Sequence, residues 1–373
     1  MGDLGRPECD YVALAMPGVR GLHPYQPGKP AEELERELGI SNIVKLASNE
    51  NPLGPSSVAL TAIEQSLKAL TRYPDGNGFA LKNALVKKYG LHEHCLTLGN
   101  GSNDLLDIIA RAYAGPDREV IFSQYAFAVY ALSTKAVGAE AVQVPAKDWG
   151  HDLDAMLEAV TERTSLIFIA NPNNPTGTWL THDALVAFLE KVPERVIVVL
   201  DEAYCEYIDS PEYPEAFTLQ QQYPNVIVTR TFSKAWGLAA LRVGYAVSSP
   251  EVSDVLNRVR HPFNVNSAAL AGATAVLEDA DYIERSKQTN KSGLQQFEQG
   301  FQRLGLDYIP SVGNFICVDV QRDGGEVFQA LLREGVIVRP VGNYGMPNHL
   351  RISVGLETEN ARCLEALEKV LAL

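Results

Sequence analysis

The sequence predicts an α/β protein whose large domain holds a mostly parallel sheet and whose smaller domain is α+β. Between residues 95 and 248, short apolar runs alternate with gaps of helical length, which is typical of βαβ units. After Pro250 helical patterns dominate, and short strand candidates follow them. A chain of 373 residues is long enough to form two hydrophobic cores. We therefore predict a large domain at 48–262, a small domain at 263–373, and an N-terminal arm at 1–47 that also joins the small domain.

The composition is that of an ordinary globular enzyme and disfavours some partners. The formal net charge is −14, which argues against nucleic acid and anionic membranes because both attract basic surfaces. No apolar run approaches the roughly 18 residues of a membrane-spanning helix, and the first residues lack the apolar core of a secretory signal. The five cysteines form no C-x-x-C pair, so we expect reduced thiols and a cytoplasmic location. They are Cys9, Cys95, Cys205, Cys317 and Cys363.

Local patterns predict the elements in chain order. A short helix spans Ala31 to Leu38 and ends at Gly39, because glycine is the residue type that most often follows a helix. Further helices are expected at 56–70, 79–89, 103–113, 152–160, 181–192 and 359–371. Strands of the large sheet are expected at 120–122, 141–144, 165–170, 195–200, 226–228 and 243–247. Strands of the small domain are expected at 314–320, 336–339 and 350–354.

Polar residues follow three successive predicted strands, and they are the first candidates for a site. Asn174, Asp201 and Lys234 each lie just beyond an apolar run. In an open α/β sheet, ligands bind beyond the carboxyl ends of the strands. The sequence therefore predicts that these three side chains converge on one site.

Lys234 suggests the chemistry of that site. A lysine just past a buried strand needs a partner, and an amine can form a Schiff base with a carbonyl group. Thr231, Ser233 and Arg242 surround it in sequence and offer the donors and the forked cation that a phosphate requires. A Schiff-base lysine beside a phosphate site points to pyridoxal 5'-phosphate (PLP). The alternative is a strand-to-loop junction whose lysine extends to solvent.

The other two strand ends fit the same cofactor. Asp201 ends an apolar strand, and a protonated pyridine nitrogen would compensate its buried charge. Tyr204 and Asn174 are placed to donate hydrogen bonds to the phenolic oxygen of the ring. Tyr125, just past the strand at 120–122, is a candidate for stacking on the ring. The alternatives are a helix cap for Asp201, a simple turn for Asn174, and core packing for Tyr125.

A glycine-rich turn supplies a backbone site for the phosphate. Gly101, Ser102 and Asn103 precede or begin the predicted helix 103–113. The free N–H groups and the positive dipole end of a helix N-terminus favour a phosphate there. A simple turn is the alternative for this segment taken alone.

Together these segments resemble the fold-type I, class II family of PLP-dependent aminotransferases, and within it the group of histidinol-phosphate aminotransferases. The resemblance runs over essentially the whole chain. The matching segments are NENP at 49–52, YPD at 73–75, GNGS at 99–102, NNPTG at 173–177, DEAY at 201–204 and TFSKA at 231–235.

The resemblance implies a role for each matching residue. Lys234 is similar to the catalytic Schiff-base lysine of the family. The residues implied to bind the cofactor are Gly101, Ser102, Asn103, Tyr125, Asn174, Asp201, Tyr204, Thr231, Ser233, Lys234 and Arg242, with Tyr73 reaching the phosphate from the other subunit of a homodimer. The residues implied to bind substrate are Tyr25, Asn49, Arg339 and Arg351. No metal is implied. One departure is Asn103, where many members have an acidic residue.

The implied activity is the reversible transfer of an amino group between L-histidinol phosphate and 2-oxoglutarate, giving imidazole acetol phosphate and L-glutamate, in histidine biosynthesis. An aminotransferase for aromatic amino acids is the main alternative. A decarboxylase of an amino-acid phosphate would share the fold and the cofactor. A PLP-binding regulator would need a DNA-binding module, and residues 1–47 have no room for one.

Overall fold

The computed structural model describes residues 9–23 and 28–372, and helices surround a large central sheet. Fourteen α-helices lie in the described part of the chain. They are α1 (Pro17–Arg20), α2 (Ala31–Leu38), α3 (Ser57–Ser66), α4 (Phe79–Tyr89), α5 (Ser102–Tyr113), α6 (Ala128–Ala136), α7 (Leu153–Glu158), α8 (His182–Leu189), α9 (Ala216–Gln222), α10 (Pro250–Val259), α11 (Ser267–Val276), α12 (Ala280–Leu304), α13 (Gly324–Arg333) and α14 (Glu357–Leu371).

Thirteen strands in the same residues form three sheets. They are β1 (Val44–Lys45), β2 (Leu96–Gly99), β3 (Glu119–Ser123), β4 (Glu140–Val144), β5 (Thr164–Ala170), β6 (Ile197–Asp201), β7 (Val226–Thr231), β8 (Gly244–Val247), β9 (Tyr308–Ile309), β10 (Phe315–Asp319), β11 (Val336–Ile337), β12 (Arg339–Pro340) and β13 (His349–Ser353). The large sheet has seven strands in the order β2-β8-β7-β6-β5-β3-β4.

The large sheet is mostly parallel, as the sequence predicts. Strands β3 to β7 pair in parallel, whereas β8 is antiparallel to both of its neighbours, β7 and β2. Alternate residues of β5 belong to hydrophobic clusters on opposite faces of the sheet, with Ile167 on one and Phe168 on the other. Both faces are therefore buried under helices, which explains why the sequences of these strands are almost continuously apolar.

The reversal at β8 accompanies the lack of an α-helix in its connection to β7. A parallel pair needs a crossover connection of a dozen or more residues, usually an α-helix. Residues 232–243 contain only a short 3₁₀ turn, Ala239–Leu241. The chain therefore turns back at the edge of the sheet where β7 ends, and it holds Lys234 and Arg242 above that edge.

A second core lies around a smaller antiparallel sheet with the order β12-β13-β10-β9. Strand β1 pairs in parallel with β11 beside it, so the early segment at 44–45 joins the C-terminal part of the chain. Helices α12, α13 and α14 cover these strands, with Phe297, Val327 and Leu367 among the buried contacts. The structure confirms the predicted fold class.

Helix α12 connects the two cores. Asp279 caps its start by accepting a hydrogen bond from the Tyr282 N–H at 3.0 Å, and Gly305 ends it in the left-handed conformation. Tyr282, in its first turn, packs in the core of the large sheet, whereas Phe297 and Phe301 pack in the core of the small sheet. The boundaries of the predicted domains remain predictions.

Most predicted elements occur within a few residues of their expected bounds. The helix expected at 56–70 ends earlier, because an α-helix to Ser66 continues as a 3₁₀ turn at Leu67–Ala69. Strand β2 was not expected, because its four residues are too few to show a period. Within the described ranges, no helix combines the length and the apolar character needed to cross a membrane.

Candidate active site

A cavity of about 370 Å³ lies at the carboxyl ends of β5, β6 and β7. The three polar clusters that follow these strands meet in it, together with residues from the smaller sheet. Twelve of the residues singled out from the sequence line it: Asn49, Ser102, Asn103, Asn174, Asp201, Tyr204, Thr231, Ser233, Lys234, Arg242, Arg339 and Arg351. The convergence expected from strand order is therefore observed, while the individual roles remain predictions.

Asp201 is a buried carboxylate that has neutral partners only. It accepts hydrogen bonds from the Tyr130 hydroxyl at 2.8 Å and from the Thr229 hydroxyl at 3.0 Å. Burial raises its pKa to about 6, although the two hydrogen bonds act in the opposite direction. Asp201 forms no ion pair with any lysine or arginine in residues 9–23 and 28–372. The carboxylate thus lines the cavity with its charge uncompensated.

Lys234 lies on the loop between β7 and β8. Its Nζ donates a hydrogen bond to the Ser48 carbonyl at 2.9 Å and lies 5.8 Å from the centre of the Tyr204 ring. Burial lowers the pKa of this amine to about 7, and the positive charges of Arg351 and Arg242 contribute to the shift. A substantial fraction of the amine is therefore neutral and nucleophilic near neutral pH.

One corner of the cavity is suited to a phosphate. Arg242 Nη1 donates to Ser233 Oγ at 3.1 Å, and its guanidinium passes close to Gly101, where an added Cβ would lie 2.4 Å from Nη2. Gly101 has φ +87°, a conformation that other residues rarely adopt. Helix α5 begins at Ser102 without a side-chain cap, so its first N–H groups remain available to an anion.

The opposite side of the cavity carries two arginines from the small sheet. Arg339 and Arg351 are paired residues of β12 and β13. Arg351 is buried and donates to Asn174 Oδ1 at 2.6 Å and to the Ala47 carbonyl at 2.8 Å, whereas its Nε has no hydrogen-bond partner. Because this N–H belongs to a buried, positively charged guanidinium and has no acceptor, an anionic ligand is favoured at this end of the cavity.

Four predicted residues are not among the described residues that line the cavity: Gly101, which lies against Arg242, and three tyrosines. The Tyr125 ring packs against Trp149, with centroids 5.2 Å apart, and Phe127 is the aromatic residue of this segment at the cavity wall. Tyr73 is 82% exposed and stacks on Phe263. Tyr25 lies outside the described residues. The proposed roles of these three tyrosines therefore stay predictions.

The structure adds two residues that the sequence analysis missed. Thr229 pairs with Asp201 in the β6–β7 register, and the alternation of β7 places it on the same face as Thr231, which is a signal that the sequence contained. Tyr130 is fully buried and stacks on Phe168 with centroids 4.6 Å apart. No local pattern in the sequence indicated that its hydroxyl reaches Asp201.

Comparisons with known proteins agree with this geometry. The family model for aminotransferase class I and II matches residues 41–369. Histidinol-phosphate aminotransferase 2 of Pseudomonas fluorescens strain Pf0-1 is 61% identical over 365 residues, which cover 97% of this chain and 99% of the relative. Histidinol-phosphate aminotransferase 1 of Nitrosococcus oceani is 57% identical, with 98% of each chain covered.

A solved structure extends the likeness to the whole fold. The crystal structure of histidinol-phosphate aminotransferase from Sinorhizobium meliloti, in complex with pyridoxal-5'-phosphate, superposes with a TM-score of 0.88 at 31% identity. The match covers 95% of this chain and 97% of that one. On these grounds the chain belongs to the aminotransferase class I and II family and, within it, to the histidinol-phosphate aminotransferases.

Proposed function

We propose that the protein is a PLP-dependent aminotransferase that transfers an amino group reversibly between L-histidinol phosphate and 2-oxoglutarate, giving imidazole acetol phosphate and L-glutamate. The observation that carries the proposal is that a buried carboxylate without a cation and a lysine of low pKa face the same cavity. The family match and the names of the relatives support the same assignment.

The cavity fits PLP at its ring end. Asp201 would pair with the pyridine nitrogen, because a cation there restores the charge balance that the protein leaves incomplete. Asn174 and the Tyr204 hydroxyl line the same cavity and would hold the phenolic oxygen. When bound, PLP supplies an electron sink that stabilises negative charge on the substrate carbon.

The cavity also fits the phosphate of PLP. Thr231, at the end of β7, and Ser233 and Arg242, in the loop after it, would bind the phosphate with their side chains. The first backbone N–H groups of α5 would bind it as well. Asn103 lines this corner and keeps a short polar side chain where many members of the family are acidic. Gly101 permits the close approach of Arg242.

Lys234 has two tasks in this proposal. Its neutral amine would hold the cofactor by condensing with the carbonyl group of PLP, with loss of water. As a free amine, its Nζ would act as a general base that takes the proton from the substrate α-carbon. A base with a pKa of about 7 is matched to this work at neutral pH, because its two protonation states are both populated.

Arg351 and Arg339 would hold the anionic end of either substrate. One substrate ends in a phosphate and the other in a carboxylate, and a guanidinium fork matches both groups. The unpartnered Nε of Arg351 supplies a donor for this purpose. Tyr25 is implied as a further contact only by its resemblance to the family.

A homodimer belongs to the same proposal, with Tyr73 reaching the cofactor phosphate of the partner subunit. Tyr73 is exposed and does not line the cavity of its own chain, so a contact with phosphate would have to be made in another subunit. The neighbouring segments of the chain, on and beside α3 and α4, also carry exposed apolar residues, namely Val58, Leu60, Leu67, Leu70 and Phe79. We also propose a cytoplasmic location, where the five free thiols stay reduced.

The test is a comparison of amino donors. Purified protein with PLP and 2-oxoglutarate is given L-histidinol phosphate, L-phenylalanine or L-tyrosine, and the L-glutamate formed is measured. We expect kcat/KM to be highest for L-histidinol phosphate by at least an order of magnitude. A preference for the aromatic amino acids would replace the proposed substrate, and release of carbon dioxide without glutamate would replace the reaction.

A further inference from the structure

Asn49 lies at the cavity wall but uses its polar atoms on the protein itself. Its N–H donates to Ser353 Oγ at 2.8 Å, its Nδ2 donates to the Tyr204 hydroxyl at 2.9 Å, and its Oδ1 accepts from Ser353 Oγ at 2.9 Å. Its carbonyl accepts from Asn314 Nδ2 at 2.9 Å. Each of its four polar atoms therefore has a protein partner, and only the second hydrogen of Nδ2 has no partner among the described residues.

The orientation of the Asn49 amide is fixed by Ser353. Ser353 Oγ accepts the backbone N–H of Asn49, so its own hydrogen is free for the side chain, and Asn49 Oδ1 is its acceptor. If the amide were reversed, the Ser353 hydroxyl would have no acceptor in the described part of the chain. Because a buried hydrogen-bond donor without an acceptor destabilises the folded state, the observed orientation is preferred, and Nδ2 faces Tyr204.

This orientation determines what the Tyr204 hydroxyl does. A phenol has one hydrogen, and since Tyr204 accepts from Asn49, that hydrogen is available to the cavity. The ring of Tyr204 is held edge-on by Phe315, with centroids 5.1 Å apart. Burial raises the pKa of Tyr204 to about 12, so the hydroxyl keeps its hydrogen at neutral pH.

We infer that Asn49 is a positioning residue and not a substrate ligand: its amide, oriented by Ser353, keeps the Tyr204 hydroxyl as a hydrogen-bond donor toward the ring oxygen of bound PLP. The inference rests on the proposed function, because it requires the cofactor. It also connects the small sheet to the cofactor, since Ser353 lies on the same face of β13 as Arg351.

The test uses the visible absorbance of PLP bound to the holoenzyme, titrated with pH. A donor to the ring oxygen stabilises its anionic form and so lowers the proton affinity of the neighbouring imine nitrogen that links Lys234 to the cofactor. Tyr204→Phe should raise the midpoint of the absorbance change by about one pH unit, the size of one hydrogen bond to a charged group. Ser353→Ala should raise it in the same direction by a smaller amount, because the amide is then free to reverse.

Three further variants separate positioning from general structural support. Ser353→Thr keeps the hydroxyl and should restore the wild-type midpoint. In a Tyr204→Phe background, Ser353→Ala should produce no additional shift, because there is no hydroxyl left to orient. Asn49→Asp, which presents an acceptor to Tyr204, should raise the midpoint more in the wild-type background than in the Tyr204→Phe background.

Other outcomes would overturn the inference. If Ser353→Ala and Asn49→Asp left the midpoint unchanged but raised the KM for L-histidinol phosphate, Asn49 would be a substrate ligand. A shift of equal size with and without Tyr204 would show that the effect does not pass through its hydroxyl. Absence of any visible absorbance in the wild-type protein with PLP would overturn the proposed function, and the inference with it.

Discussion

Two adjacent carboxylates at the end of β6 have opposite surroundings. Glu202 is paired with the Arg230 guanidinium, whose Nε and Nη2 donate to Glu202 Oε2 at 2.9 and 2.8 Å. The Tyr213 hydroxyl donates to the other oxygen at 3.0 Å. Asp201, one residue earlier, has only two neutral hydroxyls as partners. Both side chains are buried, yet only one has a cation.

The difference arises because successive residues of a strand point to opposite faces. On the Glu202 side the protein completes its own charge balance, and Arg230 is further held with its guanidinium 3.9 Å from the centre of the Phe217 ring. On the Asp201 side the balance is left incomplete, next to a cavity. An uncompensated buried charge therefore distinguishes a ligand site from a structural ion pair.

The largest expected effect is the loss of turnover when Lys234, which lines the cavity, is replaced. Lys234→Ala should lower turnover by roughly 10³-fold or more, because in the proposed mechanism it removes both the covalent attachment and the general base. The visible absorbance of the bound cofactor should change at the same time, while the free energy of unfolding should change little. Steady-state kinetics and a urea titration check the two parts. Near-normal turnover in this variant would remove Lys234 from the chemistry.

Removing one partner of the Glu202–Arg230 ion pair should reduce the stability of the protein more than its activity. Arg230→Met leaves the Glu202 carboxylate buried without its cation, and such a loss destabilises a protein by about 3–5 kcal/mol. Urea unfolding of the cofactor-free protein measures this change. The control is the double variant Glu202→Gln, Arg230→Met, which removes both charges and should recover much of the loss. If the single and double variants were equally destabilised, the charge imbalance would not be the cause.

Asp201→Asn should increase the stability of the cofactor-free protein but decrease its affinity for PLP. A carboxyl whose pKa rises from 3.8 to about 6 on folding destabilises the folded state as the pH rises through this window, by up to about 3 kcal/mol at pH 7. Asparagine avoids this, so the cofactor-free variant should be more stable than the wild type at pH 7 and show no gain at pH 4. Its affinity for PLP should nevertheless fall at least about tenfold, because the pairing charge is lost.

Unfolding at both pH values and a PLP titration check this prediction. The matched control is Asp117→Asn, an exposed aspartate that should leave both quantities unchanged. If the cofactor-free variant were less stable than the wild type at pH 7, the buried charge of Asp201 would not be destabilising, and the prediction would be wrong.

The smallest expected effect is a pH dependence of cofactor capture. In the proposed mechanism the neutral form of Lys234 is the nucleophile, and the pKa of its amine is lowered from 10.5 to about 7. The rate at which the cofactor-free protein takes up PLP should therefore rise about fivefold between pH 6 and 7, reach about tenfold the pH 6 rate by pH 8, and level off above it. Stopped-flow absorbance measures this rate. Arg351→Met removes a positive neighbour and should shift the midpoint to higher pH, and an unchanged midpoint would show that Arg351 does not contribute to the low pKa.

Short-range patterns were sufficient for much of this protein. The period of the apolar residues identified the strands and helices, and the order of the strands placed Asn174, Asp201 and Lys234 at one edge of the sheet. Local geometry explains this success, because consecutive parallel strands joined by crossovers must end at the same edge. Gly101 and Arg242 were found in the same way, from residues close in sequence to a strand end or a helix start.

The tertiary structure alone decided which side chains touch across the cavity. Tyr130 is 71 residues from Asp201, and Ser353 is 304 residues from Asn49, so no local period relates them. Asn49 was assigned to substrate binding from its motif, whereas its contacts connect it to Tyr204. Hydrogen-bond direction depends on the full set of partners around each group, and that set exists only when the two sheets pack against each other.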